Sequence, residues 1–594
     1  MWRLARLLGA VIVGLAAFCL ALAGNQGVVS PSPSQTLDHD PGDQRDDASP
    51  WGVGSGSEWL SAFPSFNPLL KDAGVRWLRG FYEWQTIQPT RGYWNWTLPD
   101  RLIENARANN LHLTGSFGYF ASWASADGGT RKFPIKDMQY WRDYVAGLVS
   151  RYQRDIKYWE VWNEFDGGFA ENGTPEIYGE MVREASISAK AVDPTAKIGM
   201  SVANFDVGFL EAAIKGGAAG YFDYICVHPY EKLNALEDGG EVDFLSMTTT
   251  LRQMLKVNGQ PTDTQLWITE IGSQAPNTPD QRADKRQAIL LAKAYLLSIA
   301  SGFRRVFWFE ARGPSYGHNT DHGLVRADFS LRPAYRALKT LSDALGPDPA
   351  AAGWLNLEGG YGFLYKVNGA YTLAAWARSK WDVKVKFAGD VRISDIEGIQ
   401  TALAAGRELT LTDAPQLIFE VPITLVEQAK ANVNKPYSWA GDFAGVQTVN
   451  VLLRETSLEK GVREISSDTT SPGGAGEDSW RRTNISRPGG EGHYVYFAVD
   501  PQFVPFGSRK LEITAVVRRT AVDKIAGMTL NYESQKGYVN ADYVQIPEGD
   551  QWQELTWKVS DANFVGGWGW NFRLNAISSP NDFLVREIRV KKFN

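Results

Sequence analysis

The sequence predicts an α/β protein, a (β/α)8 barrel followed by a small β domain and a C-terminal β-sandwich of jelly-roll type. Three observations carry that expectation. The chain has 594 residues, too many for one ordinary core. Eight short β-like runs alternate with amphipathic or alanine-rich stretches. After Leu345-Gly346-Pro347 the pattern changes to short alternating strands separated by turns.

At the N-terminus, residues 1–6 carry two arginines and residues 7–23 form an apolar run closing on Ala21-Leu22-Ala23. This is the make-up of a secretory signal peptide, so the expected location is outside the cell or in the periplasm. The run sits at the short edge of a membrane span, and an uncleaved anchor is the alternative. Phe18 ahead of Cys19 argues against lipid attachment there. Residues 24–50, rich in Ser, Pro, Asp and Gln and without Phe, Tyr or Trp, read as a disordered linker. With the leader removed, Cys226 remains without a disulfide partner, and its apolar neighbours Ile225 and Val227 suggest a buried, inert thiol.

The barrel is placed at residues 51–346. Its strands are expected over 51–54, 75–79, 111–117, 156–162, 197–202, 222–228, 265–269 and 304–309, with helices over 102–109, 138–152, 175–191 and 284–300. No G-x-G-x-x-G turn follows the first strand, which favours a closed TIM-type barrel over an open dinucleotide-binding sheet. The small β domain spans 347–435, with strands over 362–367, 371–377, 383–387 and 416–421. The sandwich spans 436–594, with strands over 494–499, 510–517, 528–532 and 554–559 and a Gly/Ser-rich turn at 471–476.

A net charge of −6 without a basic stripe argues against nucleic acid as a partner. The 22 Trp, 23 Tyr and 28 Phe call for flat surfaces, either core or platforms for sugar rings. In the sandwich, Trp552, Trp557, Trp568 and Trp570 are open to both readings, and ring exposure separates them.

Functional side chains of a (β/α)8 barrel sit where strands end and βα loops begin. The fourth expected strand closes on Asn163-Glu164 and the seventh on Glu270. Opposed across a barrel mouth, two carboxyls can cleave a glycosidic bond: one protonates the leaving oxygen while the other attacks, or stabilises, the oxocarbenium-like carbon. A separation of roughly 5–5.5 Å implies retention of configuration through a covalent intermediate, and roughly 6.5–9.5 Å implies inversion by water. Repulsion from ionised Glu270 is expected to keep the proton on Glu164 for the first step and to relax once Glu270 is glycosylated.

At these residues the chain resembles the clan A glycoside hydrolases. Trp162-Asn163-Glu164 and Ile268-Thr269-Glu270 match the clan's strand-four and strand-seven endings. Gly92-Tyr93-Trp94-Asn95-Trp96, His228-Pro229-Tyr230, Trp308, and the run from His322-Gly323-Leu324-Val325 to Arg332-Pro333-Ala334-Tyr335 fit as well. Family 39 is the nearest pattern, and families 5, 42 and 51 share much of it. Phe165 departs from the Pro that many members carry after the acid/base.

The resemblance implies a retaining O-glycosidase acting on a poly- or oligosaccharide, with Glu164 as acid/base and Glu270 as nucleophile. It implies that Asn163 binds the sugar 2-hydroxyl, that Tyr230 orients Glu270 and that Trp308 floors the subsite; Arg79 is expected to orient Glu270 or to pair with a structural carboxylate, and His228 to line the cleft or to be a satisfied core histidine. Trp84, Trp123 and Tyr316 are candidates for further subsites, with plain packing as the alternative. His318 and His322 bracket a glycine-flanked loop without further ligands, so no metal is expected, and no cofactor. A non-catalytic polysaccharide-binding protein on the same barrel, or a transglycosylase, are the alternatives.

Overall fold

The computed structural model describes residues 48–54, 62–314, 319–357, 359–378, 382–435, 437, 443–465 and 467–593. The expected signal peptide, nearly all of the expected linker, Tyr316 and His318 lie outside the described residues.

Eight parallel strands close into a barrel: β1 (Trp51–Gly54), β2 (Trp77–Tyr82), β3 (His112–Phe117), β4 (Ile156–Val161), β5 (Lys197–Ala203), β6 (Tyr224–His228), β7 (Gln265–Ile271) and β8 (Arg305–Phe309). Closure is made by β8 pairing with β1, from Trp51 opposite Val306 to Gly54 opposite Phe309. All eight expected strands are present. Three end later than expected, β5 by a single residue. β2 continues because Gly80, Phe81 and Tyr82 keep pairing with Gly115, Ser116 and Phe117, so Arg79 lies in the middle of the strand rather than at its end. β7 runs on to include Glu270 and Ile271.

Side chains alternate along a strand, so every second residue of a barrel strand enters the interior. Trp77, Tyr158, Tyr224, Cys226, Trp267 and Phe307 form one buried cluster of this inner face. The guanidinium of Arg305 lies 3.9 Å from the ring centre of Trp77, 4.2 Å from that of Trp267 and 4.6 Å from that of Tyr158. Burial lowers its pKa to about 10, and cation–π contact with the rings supports the charge. Two residues further along their strands come Arg79, Glu160, His228 and Thr269, so the interior passes from an aromatic floor to an ionic layer at the mouth.

Helices fill the outer ring. Among them are α1 (Thr97–Ala108), α2 (Met138–Tyr152), α3 (Pro175–Val192), α4 (Tyr230–Ala235), α5 (Glu241–Val257) and α6 (Gln281–Ser301). α2, α3 and α6 start where Asp137, Thr174 and Asp280 accept backbone N–H groups of the first turn. α6 is buried around most of its circumference, because a six-stranded antiparallel sheet covers its outer side, and Tyr365 donates to Leu296 O at 2.8 Å.

That six-stranded sheet and a two-stranded one are built from strands between Ala350 and Phe419. The helix Ile423–Ala431 packs close enough on the first strand that a Cβ at Gly353 would meet Ala429 O at 2.0 Å. The remaining strands, from Thr448 to Lys592, form a twelve-stranded antiparallel sheet around a separate core that includes Phe497, Ile513, Trp557 and Val590. The α/β fold class with its C-terminal antiparallel sheets is thus as the sequence predicts. Among the described residues no helix is long and apolar enough to cross a membrane.

Candidate active site

β4 delivers Glu160 into the barrel, then turns sharply. Trp162 and Glu164 have φ of 63° and 48°, the left-handed region that side chains avoid, with Asn163 between them. A short helical turn over Phe165–Gly167 follows. Phe165, where many clan A glycoside hydrolases carry Pro, packs its ring against Phe133, Trp162, Tyr178 and Phe209 and so anchors this turn.

Arg79 is the hub. Its Nε and Nη2 donate to the two oxygens of Glu160 at 2.8 and 3.1 Å, Nη2 also to Asn163 Oδ1 at 2.8 Å, and Nη1 to Glu270 Oε2 at 3.1 Å. A planar guanidinium can hold three acceptors in one plane, which an ammonium cannot. The second oxygen of Glu270 accepts from Tyr230 OH at 2.7 Å. Asn163 Nδ2 donates to Tyr119 OH at 3.3 Å.

His228 lies fully buried below the pair, with Nδ1 3.0 Å from Glu164 Oε1 and Nε2 3.1 Å from Thr269 Oγ1. Thr269 donates onward to Glu160 Oε1 at 3.2 Å. Burial opposes the imidazolium, but the charge of Glu270 and hydrogen bonds to Glu160 and Glu164 raise its pKa to about 9. Glu160 is the converse case: burial works against its charge, yet Arg79 and His228 bring it down to about 2. For Glu270, burial and the charge of Glu164 push the pKa up against His228, Arg79 and the Tyr230 hydrogen bond. Three carboxyls therefore face two cations, and taking up one proton makes the group neutral.

One oxygen each of Glu164 and Glu270 and one ring nitrogen of His228 lie within 4.8 Å of one another. The set could hold a divalent cation in outline, but a cation there would compete with Arg79 and Tyr230 for Glu270 and with a protonated His228 for Glu164. Arg79, Tyr230 and His228 already face three of the four oxygens of this pair, which fits acid–base work better than metal binding. Both glutamates keep a part of their surface open, 18% for the Glu164 side chain and 12% for that of Glu270, whereas Arg79 and Glu160 are sealed at 1%.

The structure thus brings together Glu164, Glu270, Arg79, Asn163, His228 and Tyr230. Trp308 is fully buried, its indole N–H on His322 O at 2.9 Å, so it backs the site rather than flooring it. Trp84 is likewise fully buried and stacks on Tyr144, the packing alternative to a subsite role. Trp123 is half-buried with its N–H on Gln88 O. His322 is half-buried and its pKa falls to about 4 through desolvation and the nearby Arg332 charge, so it is neutral.

Glu160, Thr269 and Tyr119 escaped the sequence reading. A signal for Glu160 existed: a carboxylate inside the otherwise buried strand Ile156–Val161, two residues from the inward-facing Tyr158. Nothing comparable marks Tyr119.

Sequence comparison matches residues 81–201 to the model for glycosyl hydrolase family 10. The chain is 23% identical over 265 residues, 43% of its length, to endo-1,4-beta-xylanase 3 of Hypocrea jecorina, 72% of which is covered. It is 27% identical over 134 residues to endo-1,4-beta-xylanase A of Fusarium oxysporum f. sp. lycopersici, covering 21% of this chain and 40% of the relative. In fold it is similar to a family 39 glycoside hydrolase from Bacteroides cellulosilyticus WH2, with a TM-score of 0.53 at 18% identity, covering 63% of this chain and 81% of that one. In its closed barrel, its family-10-like segment and its xylanase relatives, the chain is similar to clan A glycoside hydrolases.

Proposed function

We propose that this glycoside hydrolase is a retaining O-glycosidase in which Glu270 is the nucleophile and Glu164 the acid/base, acting on a poly- or oligosaccharide. The observation that carries the reading is the approach of the two carboxylates to within 4.8 Å, nearer the roughly 5–5.5 Å of a retaining pair than the roughly 6.5–9.5 Å that would admit a water between them.

In the first step Glu270 attacks the anomeric carbon while Glu164 protonates the departing oxygen. Arg79 and Tyr230 each hold one oxygen of Glu270, fixing its plane. Positive charge developing on the sugar favours ionised Glu270, which leaves the pair's single proton on Glu164. Once Glu270 is esterified, its charge is gone; Glu164, beside the His228 imidazolium, takes a proton from water, and the hydroxide released attacks the ester-linked carbon. Asn163, held by Arg79, offers its amide to the sugar 2-hydroxyl.

The xylanase relatives make β-1,4-xylan the first polysaccharide to test, ahead of other plant and bacterial polymers. Export through the N-terminal leader belongs to the same reading, and N-terminal sequencing of the mature protein checks it.

Product anomers followed by NMR test the mechanism: retention is expected at first, and initial inversion would sink it. Glu164→Gln and Glu270→Gln should each lower kcat by about 10²–10⁴ while sugar binding persists. A wild type that binds glycans and cleaves none would instead make the barrel a binding protein.

A further inference from the structure

Of the four tryptophans singled out in the C-terminal region, Trp557 and Trp570 are buried, Trp552 is half-buried between Arg518 and Arg586, and Trp568 alone is exposed, at 47%. Its ring stacks on Tyr538, with centres 4.7 Å apart and planes 25° from parallel. An exposed indole at the tip of a glycine-rich loop is normally mobile. This one is fixed from below by a buried carboxylate. Glu533 accepts from the N–H groups of Val565, Gly566 and Gly567, each at 2.8 Å, and from Asn571 Nδ2 at 2.9 Å. Tyr538 OH donates to Trp570 O at 2.7 Å and accepts from Trp568 N at 3.2 Å.

This loop does not stand apart from the barrel. Lys232 of α4 donates to Gly566 O at 2.9 Å, and a Cβ at Gly566 would come within 2.8 Å of the same ammonium. Lys232 lies two residues after Tyr230, the partner of Glu270. A Cβ at Gly567 would lie 3.9 Å from Phe205 O, in the loop after β5. Ala203 at the end of β5 donates to Asp166, two residues beyond Glu164. The charge of Asp206 bears on Asp166, Glu231 and Tyr538 alike, which ties the rim after β4, the rim after β6 and the loop into one neighbourhood. The loop 565–570 is therefore seated on the barrel mouth on the Glu164 side.

Resting on the reading of Glu164 as the acid, which faces the departing half of the substrate, we infer that Trp568 of the C-terminal sheet is a sugar platform of the catalytic cleft, stacking a pyranose ring on the leaving-group side of the cut. The ligand is a neutral oligosaccharide: its C–H face suits the indole, and its hydroxyls suit the carboxyl groups of Asp166 and Asp206, which are half-buried beside the loop. The C-terminal region thereby supplies part of the active-site cleft instead of a remote binding module.

The test uses the full chain. The Glu270→Gln protein is titrated calorimetrically with xylohexaose, cellohexaose and mannohexaose, with and without Trp568→Ala. The wild-type background is assayed on the hexasaccharide that binds and on the corresponding glycosyl fluoride, which has no ring on the leaving-group side. Trp568→Ala should weaken hexasaccharide binding and raise its KM about tenfold, leave turnover of the glycosyl fluoride unchanged, and be rescued in part by Trp568→Phe. Equal effects on both substrates, or a hexasaccharide that binds and turns over as before, would overturn the platform while leaving the glycosidase reading intact. Failure of every hexasaccharide to bind or be cleaved would overturn both. Thermal melting of each variant guards against a loop that has simply come loose.

Discussion

Glu160 touches no solvent, yet it sets the charge of the layer beneath the carboxylate pair. It holds two of the guanidinium's donors and, through Thr269, faces the imidazolium. Removing its charge takes from two buried cations the one carboxylate sealed in beside them, so Glu160→Gln should cost about 3 kcal/mol by denaturant unfolding. Because Arg79 would then turn toward Glu270, kcat should fall more than KM rises. The same residues shape the pH profile of stability. His228 has its pKa raised from 6.5 to about 9, so its contribution is complete below 6.5 and is lost as pH rises through 9. Glu160 has its pKa lowered from 4.5 to about 2, so its contribution holds above 4.5 and is lost as pH falls toward 2. Melting temperature should therefore fall on both flanks, and Glu160→Gln should flatten the acid one. A profile unchanged by that substitution would detach Glu160 from the network.

At the scale of the element, the turn after β4 decides whether Glu164 meets its partner. Two left-handed residues within three positions cost about 1–2 kcal/mol each, and the turn keeps them through the packing of Phe165 and the absence of a side chain at Gly167. A Cβ at Gly167 would sit 2.8 Å from that of Ala203 and 3.1 Å from that of Glu164. Gly167→Ala should displace the acid and reduce kcat by roughly 10² with little change in fold, since misplacement by an ångström is enough. Wild-type activity in that variant would show that the turn yields. The strand-end glutamates were legible because barrel geometry sends strand ends to the mouth, whatever the loop. Arg79 was found but misplaced by the three further residues of β2, since pairing with β3 and not the local pattern sets where a strand stops. Tyr119 was invisible: it reaches Asn163 from the loop after β3, a contact that exists only once the barrel has closed.

Across the whole molecule, alternation and strand count were enough to announce the barrel and the antiparallel sheets. The way the sheets lean on the barrel was not readable. It rests on single long-range contacts such as Arg463 to Gly239 O at 2.8 Å and Phe506 N to Gln253 Oε1 at 2.9 Å, whose partners are over 200 positions apart in the chain. With Lys232 held to Gly566 as well, barrel and C-terminal sheets should unfold together. Calorimetry is expected to give one transition with matching calorimetric and van't Hoff enthalpies; two separable peaks would contradict it.

The aromatic floor has a consequence for traffic. With Trp77, Tyr158, Trp267 and Phe307 shut around Arg305, the barrel is a cup and not a tube. A sugar that has arrived through the mouth has no rear exit, so departing fragments queue in the doorway that the next chain must enter. End product should for that reason compete directly with fresh substrate, and a long polymer should be released by sliding back along the rim.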